Sequence, residues 1–381
     1  MDLTLSDEQR LLRDSADRFV SDTYTTDHRR EAAAEPNGFS AATWKQFAEL
    51  GWLALPIAEE HGGLGGGAIE IGILMEAFGR GLVSEPYLST VILSAGLIAA
   101  CGSEAQKQVL LPKVAEGSLF LAFAHAERAS RFDLAKVETT ALETPNGWRL
   151  NGHKIAVLDG QAANQIIVSA RLVSANGFSG KLCLFLVPAG THGTTLRGYP
   201  RLGGGRACSL DLRDVQLPAD ALVGDAGDAL PAVEAAVDRA MAALGAEAVG
   251  IMQTLLDTTL EYTKIRKQFG RPLSANQVIR HRLADMAMQC DEARSMALRA
   301  ALMADAEPVA RGRAASGAKA KIGKCARFVA EQSVQLHGAM GVTEELDIGL
   351  YFKRLLAFDA LFGGSNHHYR RHAALGGRSH A

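Results

Sequence analysis

A run from Val233 to Ile265, dense in Ala and free of proline, restricts the possible folds of this chain most strongly. It is far longer than the three or four turns of an average helix, and its small side chains suit close packing against neighbours. Pro231 stands where a first helical turn accepts it. Two further helical blocks follow, near Asn276–Ala306 and Arg311–Gln335, so residues 229–381 are expected to form a helical bundle.

The rest of the chain has two textures. Residues 1–120 read as helical: Ser6 followed by Gln9 matches a capping box, and Leu11, Leu12, Phe19 and Val20 recur at helical spacing. The run from His61 through Gly67 lacks the Lys-Ser/Thr of a phosphate loop and reads as a turn before the next helix, Ile69–Arg80. Between residues 121 and 228 come short runs rich in β-formers. Trp148–Gly152, Gln165–Arg171 and Leu182–Val187 are broken by Gly, Asn and Pro, which predicts a small antiparallel β domain. The order of helices, strands and helices is an α+β chain, and no GxGxxG suggests a doubly wound fold.

Composition narrows the class. A chain of 381 residues with 48% hydrophobic and 22% charged residues is globular rather than disordered. A net charge of −2 gives no case for nucleic-acid binding. Five scattered cysteines fit a reducing cytoplasm, the N-terminus lacks the apolar core of a secretory signal, and Val91–Ala100 is too short to span a bilayer. A soluble cytoplasmic protein is expected. The cluster from Asn366 to His372 holds three histidines with no carboxylate or cysteine nearby, so no metal is expected.

Three motifs then follow in order: Arg266-Lys-Gln-Phe-Gly270, Asn276-Gln277-Val with Leu283-Ala-Asp-Met-Ala287, and Gln335-Leu-His-Gly338. Their succession resembles the acyl-CoA dehydrogenase family from end to end. Ala122–Glu127, Arg131–Leu134, Tyr351–Arg354 and Leu361–Arg371 resemble the small subunit of pimeloyl-CoA dehydrogenase-like members. The resemblance implies an N-terminal helical domain, a middle β domain and a C-terminal four-helix bundle. It also implies FAD held between the subunits of a homotetramer or heterotetramer. The positions matching flavin contacts are Arg266, Gln268, Phe269, Gln277, Gln335, Gly338 and Ser365, with His367 near the flavin or a subunit contact. Arginine suits pyrophosphate because its fork bonds two oxygens, and glycine allows close backbone approach.

The implied reaction removes the α-proton of an acyl-CoA and passes the β-hydride to flavin N5, with electrons leaving to an electron-transfer flavoprotein or similar acceptor. The residues depart from the family pattern where that chemistry sits. His125 takes the place of a Thr near the flavin pyrimidine, Ala156 that of a Trp, and Leu158 that of a hydroxyl near N5. Gly363 occupies the usual position of the catalytic base, where only its backbone N–H remains to polarise a carbonyl. The alternative base position on the long helix is Ala240. Asp238 nearby reads as a solvated or Arg239-neighbouring acid. Glu247 is the only ionisable side chain from Ala240 to Leu256. A lone carboxylate there needs a partner, so it is either ion-paired to an Arg of a neighbouring helix, a substrate or flavin contact, or the base.

The function expected is therefore FAD-dependent α,β-desaturation of an acyl-CoA, with a dicarboxylyl, branched or ring-bearing acyl group. The alternative is a partner subunit of a heterotetramer whose other chain supplies the base; a flavin oxidase or monooxygenase is a third reading.

Overall fold

The computed structural model describes residues 4–174, 177–343 and 346–377. Its first part is helical: α1 (Asp7–Thr23), α2 (Thr26–Ala34), α3 (Ala41–Glu49), α4 (Ala68–Gly81), α5 (Gly96–Cys101) and α6 (Glu104–Ala115). Ser6 and Gln9 form the reciprocal capping box at the start of α1. Between α4 and α5 the chain takes a π-helical course, Tyr87–Ala95, packed against the first strand. The aromatic rings of Phe19, Phe47, Trp52, Phe78 and Tyr87 pack edge-on and stacked in its core.

A seven-stranded sheet follows: β1 (Leu121–Ala124), β2 (Thr140–Thr144), β3 (Gly147–Leu158), β4 (Gln165–Ser174), β5 (Gly177–Pro188), β6 (Thr194–Pro200) and β7 (Arg206–Leu217). Most pairs are antiparallel, but β4 runs parallel to both β1 and β2. The segment beginning at Trp148 does not end at Gly152. It continues to Leu158, with register shifts against β7 between Leu150 and Gly152 and between Lys154 and Val157. At the second shift Ala156 adopts φ +52°, a left-handed conformation that re-aims the end of β3.

The long run is one helix, α7 (Leu230–Ile265), with Pro231 in its first turn. Then come a two-residue ribbon, β8 (Lys267–Gln268) with β9 (Arg271–Pro272), and the helices α8 (Gln277–Leu302), α9 (Pro308–His337), α10 (Ile348–Ala360) and α11 (Ser365–Gly376). Helix α9 touches α7, α8, α10 and α11, making it the axis of this part. Helix α7 also packs on α4, tying the first part to the last. At that crossing a Cβ on Gly79 would lie 2.0 Å from the Glu247 carbonyl oxygen, and one on Gly250 1.9 Å from that of Glu76. The two backbones therefore touch through paired glycines. No described helix is long and apolar enough to cross a membrane.

Candidate active site

Two recesses hold many, though not all, of the expected site residues. The first is a cavity of about 370 Å³ where the three parts meet. Its walls come from the π-helical stretch (Ser89, Leu93), the end of β1, the end of β3, the start of α7 and the α10–α11 turn. A loop from Ser130 to Ala135 also borders it, as do His367, His368 and Arg371 of α11. His125, Ala156 and Leu158 all line it, and most of the lining is apolar. His125 is buried and its Nε2 has no hydrogen-bond partner. Burial, with the nearby Lys154 charge, pulls its pKa down to about 3, so the imidazole is neutral at physiological pH.

The second recess is an open cleft of about 450 Å³ at the far end of α7. Arg266 caps the C-terminus of α7 and lines it with Gln268, Arg282, Gln335, His337 and Gly338. Gly338, at φ +63°, ends α9. His337 bonds the Ser333 carbonyl through Nδ1 at 2.8 Å and stacks on Tyr262, ring centroids 4.2 Å apart. Its Nε2 is buried and unpartnered, as in His125. Phe269 and Gly270 turn the β8–β9 ribbon with φ of +52° and +78°, and the Phe269 ring is fully exposed.

From Met241 in the cavity to Tyr262 in the cleft is 21 residues of α7, or about 30 Å at 1.5 Å per residue. The two recesses share no lining residue. Gln277 and Ser365 line neither: Gln277 faces His281 on its own helix, and Ser365 bonds Asp359 Oδ1 through its N–H and hydroxyl.

Neither acid singled out on α7 reaches the cavity. Glu247 is buried and gripped by Arg354 of α10, whose Nε and Nη2 lie 2.8 and 2.6 Å from Oε1. It lines a separate space of about 40 Å³ with Asp159 and Arg201, walled off by Leu158 and Leu361. Asp238 is neither solvated nor paired with Arg239. It is 2% exposed and bound by Arg311 at 3.2 Å and Arg371 at 2.6 Å, while Arg239 pairs with Asp305. Gly363 has φ +109°, and a Cβ there would lie 2.6 Å from the His367 ring. Position 363 is closed to a side chain by conformation and by space.

The carboxylates that do border the cavity are Glu234, which no motif marks, and Asp133, which lies in the Arg131–Leu134 stretch but stands at no expected site position. Glu234 lies six residues from Ala240, where periodicity alone cannot tell a cavity face from a buried one. Among the described residues no three His, Cys, Asp or Glu side chains gather as metal ligands.

A β layer thus lies between two helical parts, with a cavity at their junction. Three family models match in chain order: acyl-CoA dehydrogenase N-terminal domain over residues 6–118, middle domain over 122–215 and C-terminal domain over 230–374. The chain belongs to the acyl-CoA dehydrogenase family. The probable acyl-CoA dehydrogenase YngJ of Bacillus subtilis is 32% identical over 355 residues, 91% of this chain and 92% of that protein. Among solved structures, a variant of the Tcur3481–Tcur3483 steroid ACAD superposes with TM-score 0.87 at 29% identity, covering 98% and 99% of the two chains. The ChsE4–ChsE5 complex from Mycobacterium tuberculosis superposes with TM-score 0.89 at 26% identity over the full length of both. A glutaryl-CoA dehydrogenase from Mycobacterium smegmatis, solved with FADH2, superposes with TM-score 0.87 at 25% identity, covering 98% and 95%.

Proposed function

We propose that this chain is one subunit of an FAD-dependent acyl-CoA dehydrogenase that α,β-desaturates an acyl-CoA thioester, and that the proton-abstracting carboxylate comes from a homologous second chain. One observation carries this reading. Both customary base positions, Gly363 and Ala240, lack an ionisable group, and Asp238 and Glu247, the two acids of α7 singled out in the sequence, are locked to arginines.

The residues present fit FAD. Each recess holds a buried histidine nitrogen without a protein partner, and the cleft adds the cations Arg266 and Arg282. Arg266, Gln268, Gln335 and Gly338 would hold the pyrophosphate and adenine end, with His125 and Leu158 at the ring end. The bound flavin supplies the hydride acceptor. With about 30 Å between cavity and cleft, one chain offers each end of the cofactor to a different molecule, which supports a tetramer. Phe269, exposed on a left-handed turn residue, suits contact with a neighbouring chain. The Gly363 N–H is the only group position 363 offers to a thioester carbonyl. The acyl group is branched, dicarboxylyl or ring-bearing, in line with the steroid enzyme among the neighbours. Electrons pass to an electron-transfer flavoprotein or similar acceptor.

The test is anaerobic flavin bleaching by a panel of acyl-CoAs, using the chain alone and co-produced with a homologous chain. Bleaching only by the pair is expected; full bleaching by the lone chain overturns the second-chain base. Glu234 on the cavity wall favours a second reading, in which it is that base. Loss of lone-chain bleaching in Glu234→Gln, with Glu247→Gln still bleaching, would establish it.

A further inference from the structure

His125 follows β1, with its ring in the cavity wall and its Nδ1 2.9 Å from Ser169 Oγ of β4. That hydroxyl also lies 3.0 Å from Lys154 Nζ of β3. Lys154 is wholly buried, donates to Glu127 Oε1 at 2.7 Å and reaches the His125 carbonyl at 3.3 Å. Glu127 is fixed in turn by the Thr139 hydroxyl at 2.6 Å, the Thr139 N–H at 3.0 Å and the Glu138 N–H at 2.6 Å. Burial pushes the Glu127 pKa up, but Lys154 and these donors outweigh it and hold the carboxyl below its ordinary value.

The proton positions along this chain follow from its chemistry. An ammonium has only donors, so Ser169 Oγ accepts from Lys154. The serine proton then has two possible acceptors, the Ala124 carbonyl at 3.5 Å and His125 Nδ1 at 2.9 Å. Hydrogen bonds weaken towards the longer distance, so the proton goes to Nδ1. An imidazole that accepts at Nδ1 and is neutral carries its own proton on Nε2, a buried atom that makes no full hydrogen bond to the protein, although the Leu134 backbone acts on the ring.

We propose that Glu127, Lys154 and Ser169 are positioning residues that fix His125 as a neutral Nε2–H donor facing the cavity, there to bind a carbonyl oxygen of its ligand. The proposal rests on the reading of the cavity as a ligand site of an acyl-CoA dehydrogenase. Two carbonyls present this chemistry, the pyrimidine edge of the flavin and the thioester of the acyl-CoA. In this state His125 holds a carbonyl and does not take the substrate proton.

The experiment uses the full chain with 15N-labelled histidine, read by long-range proton–nitrogen spectra between pH 6 and 7, below the pKa of about 8 to which burial lowers Lys154, with His125 assigned by the signal lost in His125→Gln. The Nε2–H tautomer is expected throughout, lost or mixed in Ser169→Ala and Lys154→Met and restored in Ser169→Thr. An Nδ1–H pattern in the native chain, or an unchanged Nε2–H pattern in Ser169→Ala, overturns the relay. FAD and butyryl-CoA are then added separately at saturating concentration to the assembly reconstituted from this labelled chain and its unlabelled homologous partner. A shift of the His125 Nε2 signal with FAD assigns the flavin carbonyl, and a shift with butyryl-CoA alone assigns the thioester. No shift with either overturns the donor role. Failure of the dehydrogenase reading shows separately, as absence of flavin absorbance from the co-produced assembly while the tautomer stands.

Discussion

Glu247 and Arg354 are both largely buried, so each is costly without the other. Glu247→Gln is expected to lower stability by about 3 kcal/mol, because the guanidinium stays buried with its charge uncompensated. A thermal unfolding midpoint equal to the native one would show that the pair contributes nothing. Two histidines contribute to the loss of stability in acid. Burial, first, pulls His125 and His368 to about 3, against 6.5 when unfolded. The unfolded chain thus binds protons that the folded one refuses, so stability is lost as pH falls from 6.5 towards 3. At pH 5 each costs about 2 kcal/mol. Unfolding midpoints at pH 7 and pH 5 check this, and His368→Gln should shrink the drop between them. At this scale the sequence was partly legible. Glu247 stood out as a lone carboxylate needing a partner, and an Arg from a neighbouring helix was among the readings. Asp238 misled, because Arg311 and Arg371 come from segments more than seventy residues away. The Lys154–Ser169 link was hidden for another reason: the two lie on strands that do not pair, so no register or spacing marks their contact.

Among the elements, α7 and α4 owe their contact to two glycines whose absent Cβ atoms leave room for the opposite carbonyls. Gly250→Ala is expected to push the helices apart and cost about 3 kcal/mol, as overpacking of a tight contact does. Gly96→Ala provides the contrast: its added methyl meets nothing within 4 Å in a helix, so about 0.5–1 kcal/mol of stabilisation is expected. If thermal melts show equal midpoints for both variants, the close crossing is refuted. Helix limits were well marked in the sequence, by the Ser6 and Gln9 box and by Pro231. Strand limits were not. Gly152 reads as a turn, yet β3 runs through it, because its missing side chain leaves room for Thr139, whose Oγ1 a Cβ there would meet at 2.3 Å. Parallel pairing of β4 with β1 and β2 likewise has no local signature.

For the whole molecule, the cleft was legible because most of its residues fall in or beside three compact motifs, whereas the cavity gathers residues from seven separate stretches. Arg266→Met is expected to leave the chain folded but to strip flavin from the assembly. Flavin absorbance per chain reads the loss, and undiminished absorbance would exclude Arg266 from the cofactor grip. The separation of cavity and cleft along α7 has a further consequence. If a single FAD bridges two chains, cofactor and subunit binding are thermodynamically linked, and whatever factor assembly adds to FAD affinity, FAD must add to assembly. The cofactor is then a joint of the quaternary structure, and dilution that separates the subunits releases it.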